Sequence, residues 1–220
     1  MSRNEHALVV FSGGLDSTTL LYWARQEFST VSALFCDYGS NHNAIEGRYA
    51  EATAASLKIP FHRMDLSFIG RHFRSALLGG TIPLGDYSQE NMAATVVPFR
   101  NGIFLATAAG LAESLEAQAV LLGNHAGDHF VYPDCRPAFV QSMGQAILDG
   151  TDGKVRLLSP FCNMTKGEIV RLGITLGVDY SQTYSCYQGG EKHCGKCGTC
   201  RERIEAFREA GFTDPTEYLS

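Results

Sequence analysis

Short apolar runs alternate along the chain with longer segments that carry apolar residues at helical spacing. Residues 7–11 form the first run. Residues 17–28 follow, with Leu20, Leu21 and Phe28 among the apolar positions of a helix suited to packing on a sheet. Repetition of this strand-then-helix order predicts an α/β fold around a central parallel sheet. The other predicted strands are residues 31–35, 61–66, 120–122 and 155–158, and the other predicted helices are residues 43–57, 101–115, 165–177 and 200–211.

The first predicted strand ends in two adjacent glycines and a hydroxyl-rich helix start. Glycines let the backbone approach a ligand closely, and the unpaired amides of a helix's first turn point beyond the end of the strand. Such a turn forms a cradle for anions. The alternative is a plain strand-to-helix turn without a ligand. The stretch consists of Phe11, Ser12, Gly13, Gly14, Leu15, Asp16, Ser17, Thr18 and Thr19.

Charged residues stand at several element ends where a ligand is expected. A carboxylate at Asp16 repels phosphates unless it caps the loop amides or holds Mg²⁺. Asp37, after the second strand, lies at the sheet edge where α/β folds bind nucleotides, although it also suits a plain loop start. Arg100 and Lys166 stand in the first turns of helices, where a cation opposes the helix dipole. Both are therefore predicted to meet an anionic ligand, the alternative being a solvated surface position.

Two long loops are candidates for binding segments. Residues 123–136 leave the end of a strand with histidines, aspartates, an arginine and a cysteine, a composition that predicts the substrate pocket. Residues 79–94 are rich in glycine and have little periodicity, which predicts a mobile loop, either a lid or a segment without function. Thr165 and Glu168 are spaced as a capping box at the start of a helix that Gly177 closes.

Four of the seven cysteines crowd into fifteen residues near the end of the chain. Four thiolates satisfy tetrahedral Zn²⁺ and leave no open position, so the predicted metal site is structural. An iron–sulfur cluster is the competing occupant. Clustering of this kind indicates metal binding in a reducing compartment. The predicted ligands are Cys186, Cys194, Cys197 and Cys200.

Composition excludes several classes of protein. The 220 residues are 45% hydrophobic and 19% charged, which suits a globular protein with one substantial core. No apolar run approaches the ~20 residues of a membrane span, and the N-terminus does not have the pattern of a signal peptide, so we expect a cytoplasmic protein. A net charge of −5 disfavours a protein that mainly binds polyanions and favours a small-molecule substrate, with no nucleic-acid or membrane partner.

The motifs together are similar to one family. Ser-Gly-Gly-x-Asp-Ser at residues 12–17 resembles the pyrophosphate loop (PP-loop) of the ATP pyrophosphatase superfamily. Arg100-Asn101, the run Tyr132-Pro133-Asp134-Cys135-Arg136, Thr165-Lys166 and the cysteines extend the resemblance to the QueC family over nearly the whole chain. The resemblance implies a Rossmann-like, adenine nucleotide alpha hydrolase-like three-layer fold. It also implies a PP-loop domain over residues 1–180, a zinc knuckle with a helix over residues 181–220, and a homodimer.

The QueC resemblance also implies a reaction. ATP, ammonia and 7-carboxy-7-deazaguanine are converted through adenylated intermediates and an amide into 7-cyano-7-deazaguanine, with AMP and pyrophosphate released. ATP and Mg²⁺ are then held by residues 11–19 and Asp37, and catalysis is assigned to Asp16, Ser17, Lys166 and Arg100. The implied substrate-binding residues are Asn101, Asp128, Tyr132, Asp134 and Arg136.

Two departures from the family's pattern leave other activities open. Phe99 stands where the family usually has Gly, and Phe130-Val131 where it has Ser-Gly, which predicts altered bulk beside the pocket. The alternatives are an enzyme that stops at the amide, one that uses another amine, a PP-loop tRNA thiolase, or a zinc-knuckle module that binds nucleic acid without catalysis.

Overall fold

Five parallel strands form the central sheet, in the spatial order β3, β2, β1, β4, β5. The computed structural model describes residues 5–219. Val9 of the central strand lies beside Ala33 on one side and Leu121 on the other. The predicted parallel α/β fold is confirmed. The strands are β1 (His6–Val10), β2 (Thr30–Asp37), β3 (Phe61–Asp65), β4 (Ala119–Leu121) and β5 (Arg156–Leu158).

Helices cover both faces of the sheet and make three layers. On one face, Ala7 and Val9 share a core with residues of α1, α2, α7 and α8. On the other face, Leu8 and Val120 share a core with α3, α5 and α6. The alternation of β1 side chains between these cores follows from the two-residue period of a strand. The helices are α1 (Leu15–Glu27), α2 (Asn43–Ser56), α3 (Phe68–His72), α4 (Gln89–Ala93), α5 (Arg100–Ser114), α6 (Pro137–Gly150), α7 (Lys166–Leu176) and α8 (Gly198–Ala210).

The structure differs from the predicted elements in three places. β2 extends two residues beyond residues 31–35, to Asp37, because it pairs with β3 as far as Asp65. α6 was not predicted, although its apolar residues have helical spacing. Residues 79–94 are not an irregular loop throughout, since they contain α4 and are anchored by the buried side chain of Met92.

The capping box of α7 is confirmed. The Thr165 hydroxyl accepts from the Glu168 amide at 3.2 Å, and the Glu168 carboxylate accepts from the Thr165 amide at 2.8 Å. The helix closes at Gly177 in the left-handed conformation, with φ of 77°. Local residue chemistry is sufficient to set both ends of this helix.

The C-terminal helix α8 packs on α7 and places a buried cation in the core. Arg203 is fully buried and donates to Asp214 at 3.1 Å, to the Thr183 hydroxyl at 2.7 Å and to the Tyr180 carbonyl at 2.9 Å. These bonds join α8 to the segment that precedes the cysteines. Within residues 5–219, no helix combines the length and hydrophobicity that a bilayer crossing requires.

Candidate active site

A cavity of about 210 Å³ opens where the strand order reverses between β1 and β4. The carboxyl ends of parallel strands meet at such a switch point, which is where open α/β sheets bind ligands. The cavity is lined by the ends of β1, β2 and β4, by the start of α5, and by the loop that contains Tyr187. The fold therefore brings residues from distant parts of the sequence to one binding site.

The turn between β1 and α1 forms one wall of this cavity. Gly13 has φ of 78°, and a Cβ there would lie 2.8 Å from the Ala50 amide nitrogen, so glycine is required. The Ser17 hydroxyl accepts from the Ser12 amide at 3.2 Å and fixes the turn. The first intrahelical bond runs from Thr18 to the Gly14 carbonyl, so the preceding amides of α1 have no acceptor within the helix.

Two buried polar atoms on the first turn of α1 have no hydrogen-bond partner among the described residues. They are Oδ1 of Asp16 and Oγ1 of Thr18. Buried polar groups are normally satisfied, so unpaired ones beside a cradle of amides indicate an absent ligand. The residues present fit a polyphosphate, and the carboxylate of Asp16 fits a hard cation such as Mg²⁺ that accompanies it.

Not every residue predicted for the cradle faces the cavity. Phe11, Ser12, Gly14, Asp16 and Ser17 line it. The hydroxyl of Thr19 instead bonds Tyr180 at 2.7 Å in the core, and Leu15 is a core residue. Asp37 does not line the cavity, and its Oδ2 lies 3.5 Å from Nη1 of Arg63. Its neighbours Cys36 and Tyr38 do line the cavity. The binding roles assigned to these residues stay predictions.

Lys166 belongs to a buried charge network behind the cradle. Its ammonium lies 3.1 Å from Asp16 and 2.6 Å from Glu202, whose other oxygen is 3.6 Å from His125. Burial alone lowers the pKa of Lys166, but the carboxylates of Asp16, Glu202 and Asp128 outweigh it and raise the pKa. The lysine is therefore charged, and Asp16 stands between it and the cavity.

Arg100 enters the cavity from the first turn of α5. Its guanidinium lies 5.7 Å from the ring of Tyr38, 5.9 Å from Phe104 and 5.8 Å from Tyr132, as cation–π contacts. Nε of Arg100 is buried and has no partner among the described residues. The alternative of a solvated surface arginine does not fit the buried Nε, and contact with an anionic ligand stays a prediction that this free donor supports.

The predicted substrate residues separate into two groups. Asn101, Asp128 and Tyr132 line the cavity. Asp134 does not, because its Oδ2 accepts from the Asn101 amide at 2.8 Å and caps α5. Arg136 is exposed, and its Nε donates to the His129 carbonyl at 2.9 Å.

The departures from the QueC pattern do not narrow this cavity. Phe99 is 60% exposed and packs on Phe139 with 5.7 Å between ring centroids. It adopts φ of 54°, a left-handed conformation that glycine occupies more easily. Phe130 packs on Tyr87 at 5.9 Å, in a groove outside the cavity. Neither ring lines the cavity, and altered bulk beside the pocket stays a prediction.

Sequence reasoning missed Glu46, His42, Tyr187 and Glu202. The first three line the cavity. Burial raises the pKa of Glu46 to about 8 and lowers that of His42 to about 3. A glutamate on the buried face of an alanine-rich helix, one turn before Ala50, is a signal that reveals Glu46 in the sequence alone.

Two cavity cysteines have raised thiol pKa values. Burial raises the pKa of Cys36 to about 12 and also raises that of Cys135. A thiol rather than a thiolate is a poor nucleophile and sulfur carrier. This chemistry disfavours the thiolase alternative.

The four clustered cysteines come together as predicted. The sulfurs of Cys186, Cys194, Cys197 and Cys200 all lie within 4.8 Å of one another. The amides of Cys194, Lys196 and Cys197 donate to these sulfurs at 3.2 to 3.4 Å. Four sulfurs at this spacing fit a tetrahedral metal ion, with zinc as the ordinary occupant.

A parallel sheet with helices on both faces and an amide cradle at its switch point is the architecture of nucleotide-binding α/β enzymes. The chain belongs to the QueC family: residues 6–211 match the model described as "Queuosine biosynthesis protein QueC". Two relatives bear the name "7-cyano-7-deazaguanine synthase". The protein from Porphyromonas gingivalis is 51% identical over 99% of both chains, and that from Desulfotalea psychrophila is 50% identical over 97% of this chain and 98% of its own.

Two solved structures have the same fold at low sequence identity. NMN synthetase from Francisella tularensis is 13% identical with a TM-score of 0.53, over 96% of this chain and 79% of that one. A predicted subunit of tRNA methyltransferase from Methanocaldococcus jannaschii is 15% identical with a TM-score of 0.54, over 98% of this chain and 92% of that one. At these identities the likeness concerns the fold alone.

Proposed function

We propose that the protein is a 7-cyano-7-deazaguanine synthase. It converts 7-carboxy-7-deazaguanine, ammonia and ATP into the nitrile, with release of AMP and pyrophosphate, as a ligase of queuosine precursor synthesis. The observation that carries the proposal is 51% identity with a relative of that name over 99% of both chains. A cavity that joins a phosphate cradle to an aromatic wall supports it.

Two adenylations account for the overall reaction. The substrate carboxylate attacks the α-phosphorus of ATP, pyrophosphate leaves, and ammonia then displaces AMP to give the amide. The amide oxygen attacks a second ATP in the same way, and loss of AMP leaves the nitrile. One cradle serves both steps, because each needs the same in-line approach to the α-phosphorus.

The residues at the cavity have distinct tasks in this scheme. The amides in the first turn of α1 and the hydroxyls of Ser12 and Ser17 bind the phosphates. Arg100, with its unpaired Nε, neutralises charge that develops in the transition state. Lys166 acts from behind Asp16, where it sets the charge and orientation of that carboxylate.

Two metal ions belong to the proposal. Asp16 would hold Mg²⁺, which supplies positive charge to the phosphates when it is bound. Zn²⁺ at Cys186, Cys194, Cys197 and Cys200 would be structural, since four thiolates leave no position for substrate. A cytoplasmic location and a homodimer complete the proposal. Sedimentation of the purified protein tests the assembly.

Mass spectrometry of the product tests the proposed activity. Incubation with 7-carboxy-7-deazaguanine, ATP, Mg²⁺ and ammonium is expected to yield the nitrile, with AMP and pyrophosphate. Accumulation of the amide, or no turnover, would contradict the proposal. Asp16→Ala is expected to abolish AMP formation. The exposed Asp152→Ala serves as its matched control, since that residue lies in a surface turn.

A further inference from the structure

Glu46 is a buried acid that the cradle mechanism does not use. It projects from α2 into the wall of the cavity and is 9% exposed. Among residues 5–219, its carboxyl oxygens accept no hydrogen bond, and Nε2 of His42 lies 3.6 Å away. That distance is too long for a hydrogen bond, and the lowered pKa of His42 keeps the imidazole neutral. The acid is therefore unpaired.

An unpaired buried carboxyl is costly to the folded protein. Burial raises its pKa to about 8, with Arg100 acting in the opposite direction. Two other groups that face it, Tyr38 and His42, are neutral at pH 7, because burial raises the pKa of the phenol and lowers that of the imidazole. Native proteins keep such groups where a ligand supplies the missing partners. The ligand at this point must bring hydrogen-bond donors.

The rest of the wall restricts the shape and charge of that ligand. The rings of Tyr38, Phe104, Tyr132 and Tyr187 line the same cavity, which suits a flat heterocycle. The unpaired Nε of Arg100 suits an anionic group on the same ligand or on its co-substrate. A flat ligand with donors on one edge and a negative charge elsewhere has the chemistry of a carboxylated guanine analogue.

Two other acids near the cavity already have partners. Asp128 accepts from the Tyr87 hydroxyl at 3.0 Å and from the His125 amide at 3.1 Å. Asp134 accepts from the Asn101 amide at 2.8 Å. These contacts fix both carboxylates to protein groups, and Asp134 does not line the cavity. The carboxyl of Glu46 has no such hydrogen bond among residues 5–219.

We propose that Glu46 is the specificity-determining residue that binds the guanine-type edge of the deazaguanine substrate. This inference rests on the proposed function. A guanine edge presents two neighbouring donors, the ring N–H and the exocyclic amine. Both donors stabilise the ionised form of Glu46, so its proton leaves to solvent when the edge binds, and the carboxylate accepts both bonds. An adenine edge presents one donor and one acceptor, which an amide matches better than a carboxylate. The structure thereby favours the deazaguanine over the adenine of ATP as the group at Glu46.

Glu46→Gln distinguishes binding of the deazaguanine from binding of ATP. The substitution keeps the shape of the side chain and replaces one acceptor oxygen with an NH₂ donor. The amide group of glutamine would face a donor of the guanine edge. Titration calorimetry is therefore expected to show a dissociation constant for 7-carboxy-7-deazaguanine that is about 10- to 100-fold higher than in the wild type. The dissociation constant for ATP is expected to stay unchanged.

A substrate analogue without the exocyclic amine completes a thermodynamic cycle. The wild type is expected to bind this analogue more weakly than the full substrate. E46Q is expected to bind the analogue and the full substrate with equal affinity. Coupling of this kind identifies a direct contact, since a structural defect weakens both ligands equally. E46Q is expected to melt no lower than the wild type, because the substitution removes an unpaired ionisable group from the interior.

Glu51→Gln is the matched control on the same helix. Its side chain is 65% exposed and lies 3.6 Å from Arg63. This variant is expected to bind both ligands as the wild type does. Equal deazaguanine binding in E46Q and wild type would overturn the inference, as would weakened ATP binding alone. If the wild type binds the deazaguanine through Glu46 but forms no nitrile, the proposed function fails while the inference holds.

Discussion

The ammonium of Lys166 lies 3.1 Å from a carboxylate oxygen of Asp16, which joins the first turn of α7 to the first turn of α1. Each of these two charges is unfavourable at its position without the other. A cation in a helix's first turn opposes the dipole, and an aspartate beside a phosphate cradle repels the ligand. As a pair, with Glu202 on the far side of the lysine, they form a fixed charge arrangement behind the cradle.

Lys166→Met is expected to lower the rate of pyrophosphate release by less than the ~10²- to 10³-fold that loss of a group in direct contact with the reacting phosphate costs, because Lys166 acts through Asp16. The variant also removes the ammonium shared by Asp16 and Glu202, whose side chains are 19% and 13% exposed, so its melting temperature should fall. Lys154→Met is the control, since this lysine is exposed and pairs with Glu113 at 2.8 Å. A wild-type rate in the Lys166 variant would exclude a catalytic contribution of the network.

Gly13→Ala is expected to abolish ATP binding. The left-handed φ of 78° costs a non-glycine residue about 1 kcal/mol, and the new Cβ would meet the Ala50 amide nitrogen at 2.8 Å. Gly177→Ala isolates the first of these costs, because φ there is 77° and nothing lies within 4 Å. Calorimetric titration with ATP should therefore distinguish the two variants, although both lose stability. Equal ATP affinity in both would contradict a binding role for the turn.

Cys200→Ser is expected to release the metal and lower the stability of the protein. The sulfur is fully buried in the same core as α5, so loss of the metal disrupts packing there. Elemental analysis should find about one zinc per chain in the wild type and none in the variant. Cys162→Ser, outside the cluster, should leave metal content unchanged. Iron with visible absorption would contradict the zinc assignment.

The Arg203–Asp214 pair predicts a loss of stability in acid. Burial raises the pKa of Asp214, but Arg203 and Tyr218 more than compensate, and the net pKa is below the usual value. A group with a lowered native pKa stabilises the fold above its unfolded pKa and loses that contribution as the pH falls through its native pKa. The urea concentration at the unfolding midpoint should therefore decrease when the pH is lowered below about 4.

Asp214→Asn tests the origin of that drop. Because the variant leaves the guanidinium of Arg203 buried without its partner, it should cost about 3 to 5 kcal/mol at pH 7. Its stability should depend less on pH in the acid range than that of the wild type. An unchanged acid slope would assign the effect to other carboxylates.

Features set by neighbouring residues could be predicted from the sequence. The cradle, the capping box of α7 and the cysteine cluster each depend on chemistry within fifteen residues, and the structure has all three. Alternating apolar runs were sufficient to predict the parallel sheet.

Contacts between distant elements could not be predicted in this way. Glu202 meets Lys166 across 36 residues, and Arg203 meets Asp214 and Thr183 only because α8 packs back on the domain. The extent of β2 depends on its partner strand, and the capping of α5 by Asp134 needs a loop 33 residues away. The position of Glu46 on the buried face of α2 can be predicted from the sequence. Its lack of a hydrogen-bond partner depends on the tertiary structure.

The most direct test of the account is the amount of AMP formed for each nitrile. Quantitative chromatography of nucleotides and deazaguanines from one reaction gives this ratio. Two successive adenylations predict two AMP for each nitrile, with one AMP formed for each amide intermediate. One AMP for each final product, or the amide as the only product, would contradict the account.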